Sequence, residues 1–277
     1  MTAAQIGGAV VQQGYGSLAP FIVQEFGINK AALGASFTAI MLGSAFTVAL
    51  GGMAVDRFGE RNMTIFAGIG VFTTLTIAAL MPTYFGTVAF LFIMGLTYGA
   101  VTPAGGRAIL AWFTRDRGFA MSIRQMGVPV GAIIGGFMLP VIASHANFRA
   151  ALFGGAVLAL ILTTGSALLY HDASEDAFPA PRFRQVFGGL RSIALDRRTL
   201  YLATSCSMLS IAQQSMVGFL ALTAVTHGHL SVVVAAAVFI VAQAASMTGR
   251  LVWGRASDMI FGGDRIIPIA ISCVVLI

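Results

Sequence analysis

The chain is predicted to be an all-α protein that crosses a membrane many times, and three observations carry that prediction. Hydrophobic residues make up 57% of its 277 residues and charged residues only 9%, with a mean hydropathy of +0.88. That balance leaves no charged shell for a water-facing surface. The apolar residues gather into runs near the ~20 residues that a helix needs to cross a hydrocarbon core, and arginines crowd the loops on one side of those runs. The 33 glycines follow no collagen-like period, and small residues in membrane helices let backbones approach closely.

Bounded by charge, proline or polar clusters, eight complete spans are expected, at Ala4–Gln24, Leu33–Val55, Met63–Met81, Thr87–Phe113, Phe119–Ala143, Ala150–Tyr170, Leu200–Thr226 and Ser231–Trp253. A ninth starts near Ile266 and is cut off at Ile277. The first run has no basic lead and is followed by more spans, so it is not a cleavable signal. With the N-terminus in the cytoplasm, the loop after span two holds Arg57 and Arg61, and that after span four holds Arg115 and Arg117, flanked by Arg107 and Arg124. The loop after span six holds Arg182, Arg184, Arg191, Arg197 and Arg198, and that after span eight holds Arg255 and Arg265, preceded by Arg250. Only Lys30 and Arg149 fall on the other side, so 14 of 16 basic residues obey one orientation. Trp112 and Trp253 fit the same plan, at helix ends where indoles favour the interface.

The connection from His171 to Thr199 divides two bundles: residues 1–170 form a first bundle of six spans, 171–199 a cytoplasmic loop, and 200–277 an incomplete second bundle. Within the loop Phe183, Val186, Phe187 and Leu190 recur at helical spacing, which fits either a helix lying on the inner leaflet or a solvated linker. The net charge of +6 is scattered between apolar runs and does not form a nucleic-acid patch. Cys206 and Cys273 lie inside apolar segments without metal or disulfide spacing.

Gln12-Gln13, Gly27 and the segment Gly52 to Asp56 recur as Gln213-Gln214, Gly228 and the segment Gly254 to Asp258, at an offset of 201 that becomes 202. Parallel repeats of helical units are one way to build a transporter, with its site where the halves meet. At this repeated segment the sequence resembles the major facilitator superfamily, whose signature between helices two and three appears as Gly52, Asp56, Arg57, Gly59 and Arg61. A degenerate second copy keeps Gly254 and Asp258 but has Met259 in place of the basic residue. The run Arg117 to Gln125 entering span five also resembles bacterial members. The resemblance implies twelve helices in a whole protein, six to each half, with this chain an incomplete one. It also implies that Asp56 holds the cytoplasmic side closed by contacting a helix N-terminus of the opposite half, so that Gly52, Asp56, Arg57, Gly59, Arg61, Gly254 and Asp258 are expected to gate. Span four lacks a buried arginine before Gly95 and Gly99, and span five lacks the exact antiporter motif, which weighs against proton-coupled drug export.

Polar side chains in hydrocarbon are costly and usually face a bundle interior or a water-filled cavity. In span one Gln5, Gly8, Gln12 and Gly16 share a face with Gln13 and Tyr15 at its border, and in span seven Ser207, Ser210 and Gln214 do the same. Gln12, Gln13, Tyr15 and Gln214 are therefore candidate solute contacts, against the alternative of interhelical hydrogen bonds. Arg124 lies about two turns into span five. Its planar fork suits a carboxylate, unless it anchors the interface or pairs with Asp116. Arg107 sits comparably deep in span four, either to cooperate with Arg124 or as an anchor. Apart from Asp56 and Asp258 at loops and Glu25 at an outer end, no carboxylate interrupts a span, so no carboxylate proton relay is visible.

The expectation is thus a cytoplasmic-membrane transporter of a small organic anion working by alternating access. A non-transporting receptor of the same fold, or a carrier of a neutral or cationic solute, is the rival. No nucleophile with a base, metal cluster or acid pair points to an enzyme, and no metal or cofactor is implied. The expected partners are a small-molecule solute and the lipid bilayer, without nucleic acid and with the chain monomeric.

Overall fold

A computed structural model describes residues 1–113, 116–171, 196–226, 228–230, 232–260, 267 and 270–271. The expected amphipathic stretch from Phe183 to Leu190, all of the ninth span but Ile267, Ala270 and Ile271, and the Asp258 side chain lie outside what is described. The described backbone is helical throughout its ordered elements: α1 Thr2–Gly14, a 3-10 turn Tyr15–Leu18, α2 Ala19–Phe26, α3 Lys30–Phe58, α4 Glu60–Leu80, α5 Tyr84–Tyr98, α6 Val101–Trp112, α7 Arg117–Gln125, α8 Gly127–His145, α9 Phe148–Leu168, α10 Arg197–Thr226 and α11 Val232–Met259.

Three spans expected to be continuous are broken, and proline explains each break. A proline inside a helix removes one donor, and its ring meets the carbonyl four residues earlier. Counting back from Pro20 gives Gly16, inside the 3-10 turn; from Pro103, Gly99, between α5 and α6; and from Pro129, Gln125, the last residue of α7. Pro140 stands within α8 without ending it. Where the chain turns to enter the next span, short polar side chains cap the first turn: Asn29 Oδ1 accepts from the Ala32 amide at 2.8 Å, Thr83 Oγ1 from that of Gly86 at 3.2 Å, and Asn147 Oδ1 from that of Ala150 at 2.8 Å.

Packing runs in two linked layers, with α1 against α8 and α9, and α4 between α9 and α5, which in turn covers α3. Where α1 crosses α8 a Cβ on Gly14 would lie 2.7 Å from Gly135 Cα, so only a pair of glycines lets the two helices approach this far. Leu18, Ile22, Leu75, Leu91 and Leu152 are fully buried, while Phe85 and Leu169 are more than 80% exposed on the outer surface. An apolar rim around a packed interior is what a lipid solvent selects.

Among the described residues six helices are long and apolar enough to cross a membrane: Ala31–Val48, Glu60–Leu80, Tyr84–Trp112, Arg117–His145, Phe148–Leu168 and Ala237–Ser257. The protein is a multi-pass membrane protein. Spans one and seven do not meet that measure. The first is interrupted at its 3-10 turn, and α10 mixes Ser205, Ser207, Ser210, Gln213 and Gln214 into its apolar residues. The second half begins with α10 packed on α11, and α11 lies against α7 and α8 of the first bundle.

Candidate functional site

The glutamines of spans one and seven meet at a methionine. Gln12 Nε2 donates to Ser44 Oγ at 3.3 Å and lies 4.0 Å from Met41 Sδ, while Gln214 Nε2 approaches the same sulfur at 3.7 Å. Ser44 Oγ in turn donates to the Gly95 carbonyl at 3.3 Å, tying α3 to α5. The structure therefore brings together Gln12 and Gln214, singled out from opposite ends of the sequence, on a residue of α3 that the sequence did not single out. Ser44, a small polar residue in an apolar span, was the available signal for it. For Gln12 the alternative of an interhelical bond is realised in this conformation.

Gln13 is half-buried beside this point. Tyr15 is fully buried, its ring edge-on to Phe37 at a centroid distance of 5.3 Å, and it meets no open space. The apolar hollow between α3 and α5, lined by Ala35, Thr38, Ala39, Leu42 and Phe92, offers a polar solute little to bond.

About 10 Å from Gln12 along the same face of α1, two turns toward the N-terminus, Gln5 starts a second polar chain. Arg124 Nη1 donates to Gln5 Oε1 at 2.8 Å, and Gln5 Nε2 donates to the Tyr98 hydroxyl at 3.0 Å. Arg124 is only 4% exposed, with its Nε 3.5 Å from Met121 Sδ. Arg124, whose fork was expected to suit a carboxylate, is here covered by neutral groups, and its partner is Gln5 and not Asp116. A Cβ on Gly105 would stand 2.6 Å from its Nη1, so the guanidinium occupies the space that this glycine leaves.

A third cluster joins α3, α4 and α6. Arg107 Nε lies 3.5 Å from Asp56 Oδ1 and 3.4 Å from Glu60 Oε1, and its Nη1 donates to the Val55 carbonyl at 2.8 Å. Arg107 is thus a partner of the repeated motif and not of Arg124. Glu60, absent from the sequence-based candidates, is 2% exposed. Gly59 turns the chain between α3 and α4 at φ 80°, a region that favours glycine. Gly52 has open space around it, Arg57 stacks over Phe58 at 5.4 Å, and Arg61 is half-buried. Asp56 therefore has a partner in its own half, where the resemblance implies one in the other.

The second copy of the motif does touch the opposite half. A Cβ on Gly254 would sit 2.8 Å from Ser122 Cβ and 3.4 Å from the Gly118 carbonyl, and Arg255 lies over the Phe119 ring at 5.4 Å. Further along the same seam, Phe239 of α11 reaches Gly136 of α8.

A family model described as Major Facilitator Superfamily matches residues 1–277. An uncharacterized transporter of that type from Mycobacterium tuberculosis is 26% identical over 228 residues, covering 82% of this chain and 50% of that protein. The 3-(3-hydroxy-phenyl)propionate transporter of Escherichia coli K12 is 27% identical over 274 residues, covering 95% of this chain and 63% of that protein. The chain spans about half the length of the mycobacterial relative. Among solved structures, the proton:xylose symporter bound to 6-bromo-6-deoxy-D-glucose superposes with a TM-score of 0.63 at 15% identity, over 93% of this chain and 68% of that one. That last likeness is one of fold.

Proposed function

The chain belongs to the Major Facilitator Superfamily, and from that membership we propose that it carries a small organic anion across the cytoplasmic membrane by alternating access. The observation that supports this reading best is the approach of Gln12 and Gln214 to one Met41 sulfur, at 4.0 and 3.7 Å. These residues come from the first spans of two repeated halves, so a solute bound between them touches both moving parts. Their amides supply donors and acceptors without a charge of their own. Gln13 extends the polar face, and Tyr15, packed on Phe37, acts as a buttress.

Anion selectivity is assigned to Arg124. It is buried among neutral groups, and a guanidinium in low dielectric imposes a positive potential on the polar face of α1 that carries Gln5 and Gln12. The name of the Escherichia coli relative, a transporter of an aromatic propionate, supports the same class. The N-terminus, the 171–199 segment and the Asp258 loop are placed in the cytoplasm by the arginine bias. Asp56, Arg57, Gly59 and Arg61, with Gly52, form one inner gate element and Gly254 with Asp258 the other.

Uptake into proteoliposomes of the whole protein tests the proposal, with 3-phenylpropionate as probe and 3-phenylpropionamide as its neutral control. The carboxylate should accumulate and the amide should not, and Gln12→Ala and Gln214→Ala should each weaken uptake. Equal handling of acid and amide would remove the anion assignment, and uptake untouched by both substitutions would move the site elsewhere.

A further inference from the structure

The second half also offers a cation to the seam between the halves. Helix α11 is exposed over most of its length, and its buried residues fall on one stripe: Gln243, Gly254 and Ser257, with half-buried Phe239 and Arg250 in line. Phe239 and Arg250 are separated by about three turns and Arg250 and Gly254 by about one, so all three share a face. The two ends of that stretch are fixed by contact, Phe239 on Gly136 and Gly254 on Ser122. Arg250, between them, is therefore held toward span five. Counting antiparallel from Gly254 and Ser122 puts it level with the break at Met126 between α7 and α8.

One feature separates this arginine from a simple interfacial anchor. Its Nε is buried and has no hydrogen-bond partner among the described residues. Every other arginine described on that side of the protein has a ring, carboxylate or carbonyl against it, or sits at a helix end. A half-buried guanidinium whose Nε is shut off from water and unbonded is costly to keep, so a position that retains one has a use for the charge.

We propose that Arg250 is a solute-binding residue of the second half, meeting the carboxylate of the transported anion at the seam between spans five and eight. The inference rests on the anion reading above and adds to it a direct, planar, two-donor contact, where Arg124 acts from beneath Gln5. Gln243, two turns outward on the same stripe and 6% exposed, is placed to bond the solute's other end. In the motion between the two access states, span eight would carry this charge past span five.

The test is ligand-induced thermal stabilisation of the whole protein in dodecyl maltoside, whose headgroup carries no phosphate to mimic the solute. The probes are benzoate, 3-phenylpropionate and acetate, each beside its amide. Wild type should respond to at least one carboxylate and not to its amide. Arg250→Gln should weaken that response about tenfold or more, and Arg250→Lys, which keeps the charge but loses the fork, by less. Phenylglyoxal labelling mapped by mass spectrometry should show Arg250 protected by the same carboxylate. Wild-type affinity in Arg250→Gln, or Arg250 labelled equally with and without ligand, overturns this inference and leaves the anion reading standing. A wild type that ignores every carboxylate, or binds the amides as well, overturns both. If Arg250→Gln is not monodisperse, Arg250→Lys decides alone, and unchanged affinity in it overturns the proposal.

Discussion

Replacing Gln5 by leucine should destabilise the first bundle by about 3 kcal/mol, and most of that loss should vanish once Arg124 is also replaced by methionine. The magnitude follows from the contacts. Gln5 accepts a 2.8 Å bond from a guanidinium that is 4% exposed and donates a 3.0 Å bond to Tyr98. A hydrogen bond to a charged group contributes about 1.5–3 kcal/mol and a neutral one about 1. Leucine keeps the volume but leaves the charge and the Tyr98 hydroxyl short of a partner. Methionine at position 124 removes the charge, so the leucine has less to abandon and the coupling should be about 2 kcal/mol. Polar bonds between membrane helices average nearer 0.6 kcal/mol, and the excess is what a buried charge adds. Reversible unfolding in mixed micelles of dodecyl sulfate and dodecyl maltoside, followed by circular dichroism, gives the four free energies of the cycle. Additive single substitutions, with coupling under about 0.5 kcal/mol, would refute the buried-charge account of this layer.

At the inner cluster, Glu60→Gln should cost about 3 kcal/mol and Asp56→Asn under about 1, because the Glu60 side chain is 3% exposed and that of Asp56 29%. The same unfolding assay ranks them, and Asp56→Asn should slow transport without changing solute affinity. A reporter cysteine at Ser192, with Cys206 and Cys273 replaced, should resist an impermeant thiol reagent in intact cells and react in inverted vesicles; the opposite result reverses the topology. Asp196 accepts from the Thr199 hydroxyl at 2.8 Å and the Thr199 amide at 3.0 Å, which hold its carboxyl below the usual range. A depressed folded pKa means that its capping contribution is complete above the unfolded value and fades as pH falls through the folded one. The protection of the Thr199 amide, measured as its exchange rate relative to the intrinsic rate at each pH, should therefore fall at acid pH in wild type and stay flat with pH in Asp196→Asn.

The spans were legible because lipid leaves so few choices: apolar runs of the right length and arginines on alternate loops fix most helices to within a few residues. Their breaks were legible too, but only through a different rule. Pro20, Pro103 and Pro129 each mark a carbonyl one turn upstream, and a search for apolar length passes over them because proline and glycine do not interrupt hydropathy. Span seven shows the reverse effect, since its serines and glutamines dilute the apolar signal of a helix 30 residues long.

The site was legible in part, for a reason that lies in the repeat. The repeat of Gln12-Gln13 as Gln213-Gln214 makes spans one and seven counterparts, and the first spans of two bundles meet where the bundles meet. What no periodicity could give is the third party. Met41 is an apolar residue in an apolar span, and only the crossing of α3 beside both glutamines puts its sulfur between them. Arg250 escaped for a related reason: counted among the inner-side arginines it looked like one more vote for orientation. Its difference from them appears only when Gly254 is found on Ser122 and Phe239 on Gly136, which turns the stripe between those contacts inward and carries the charge with it.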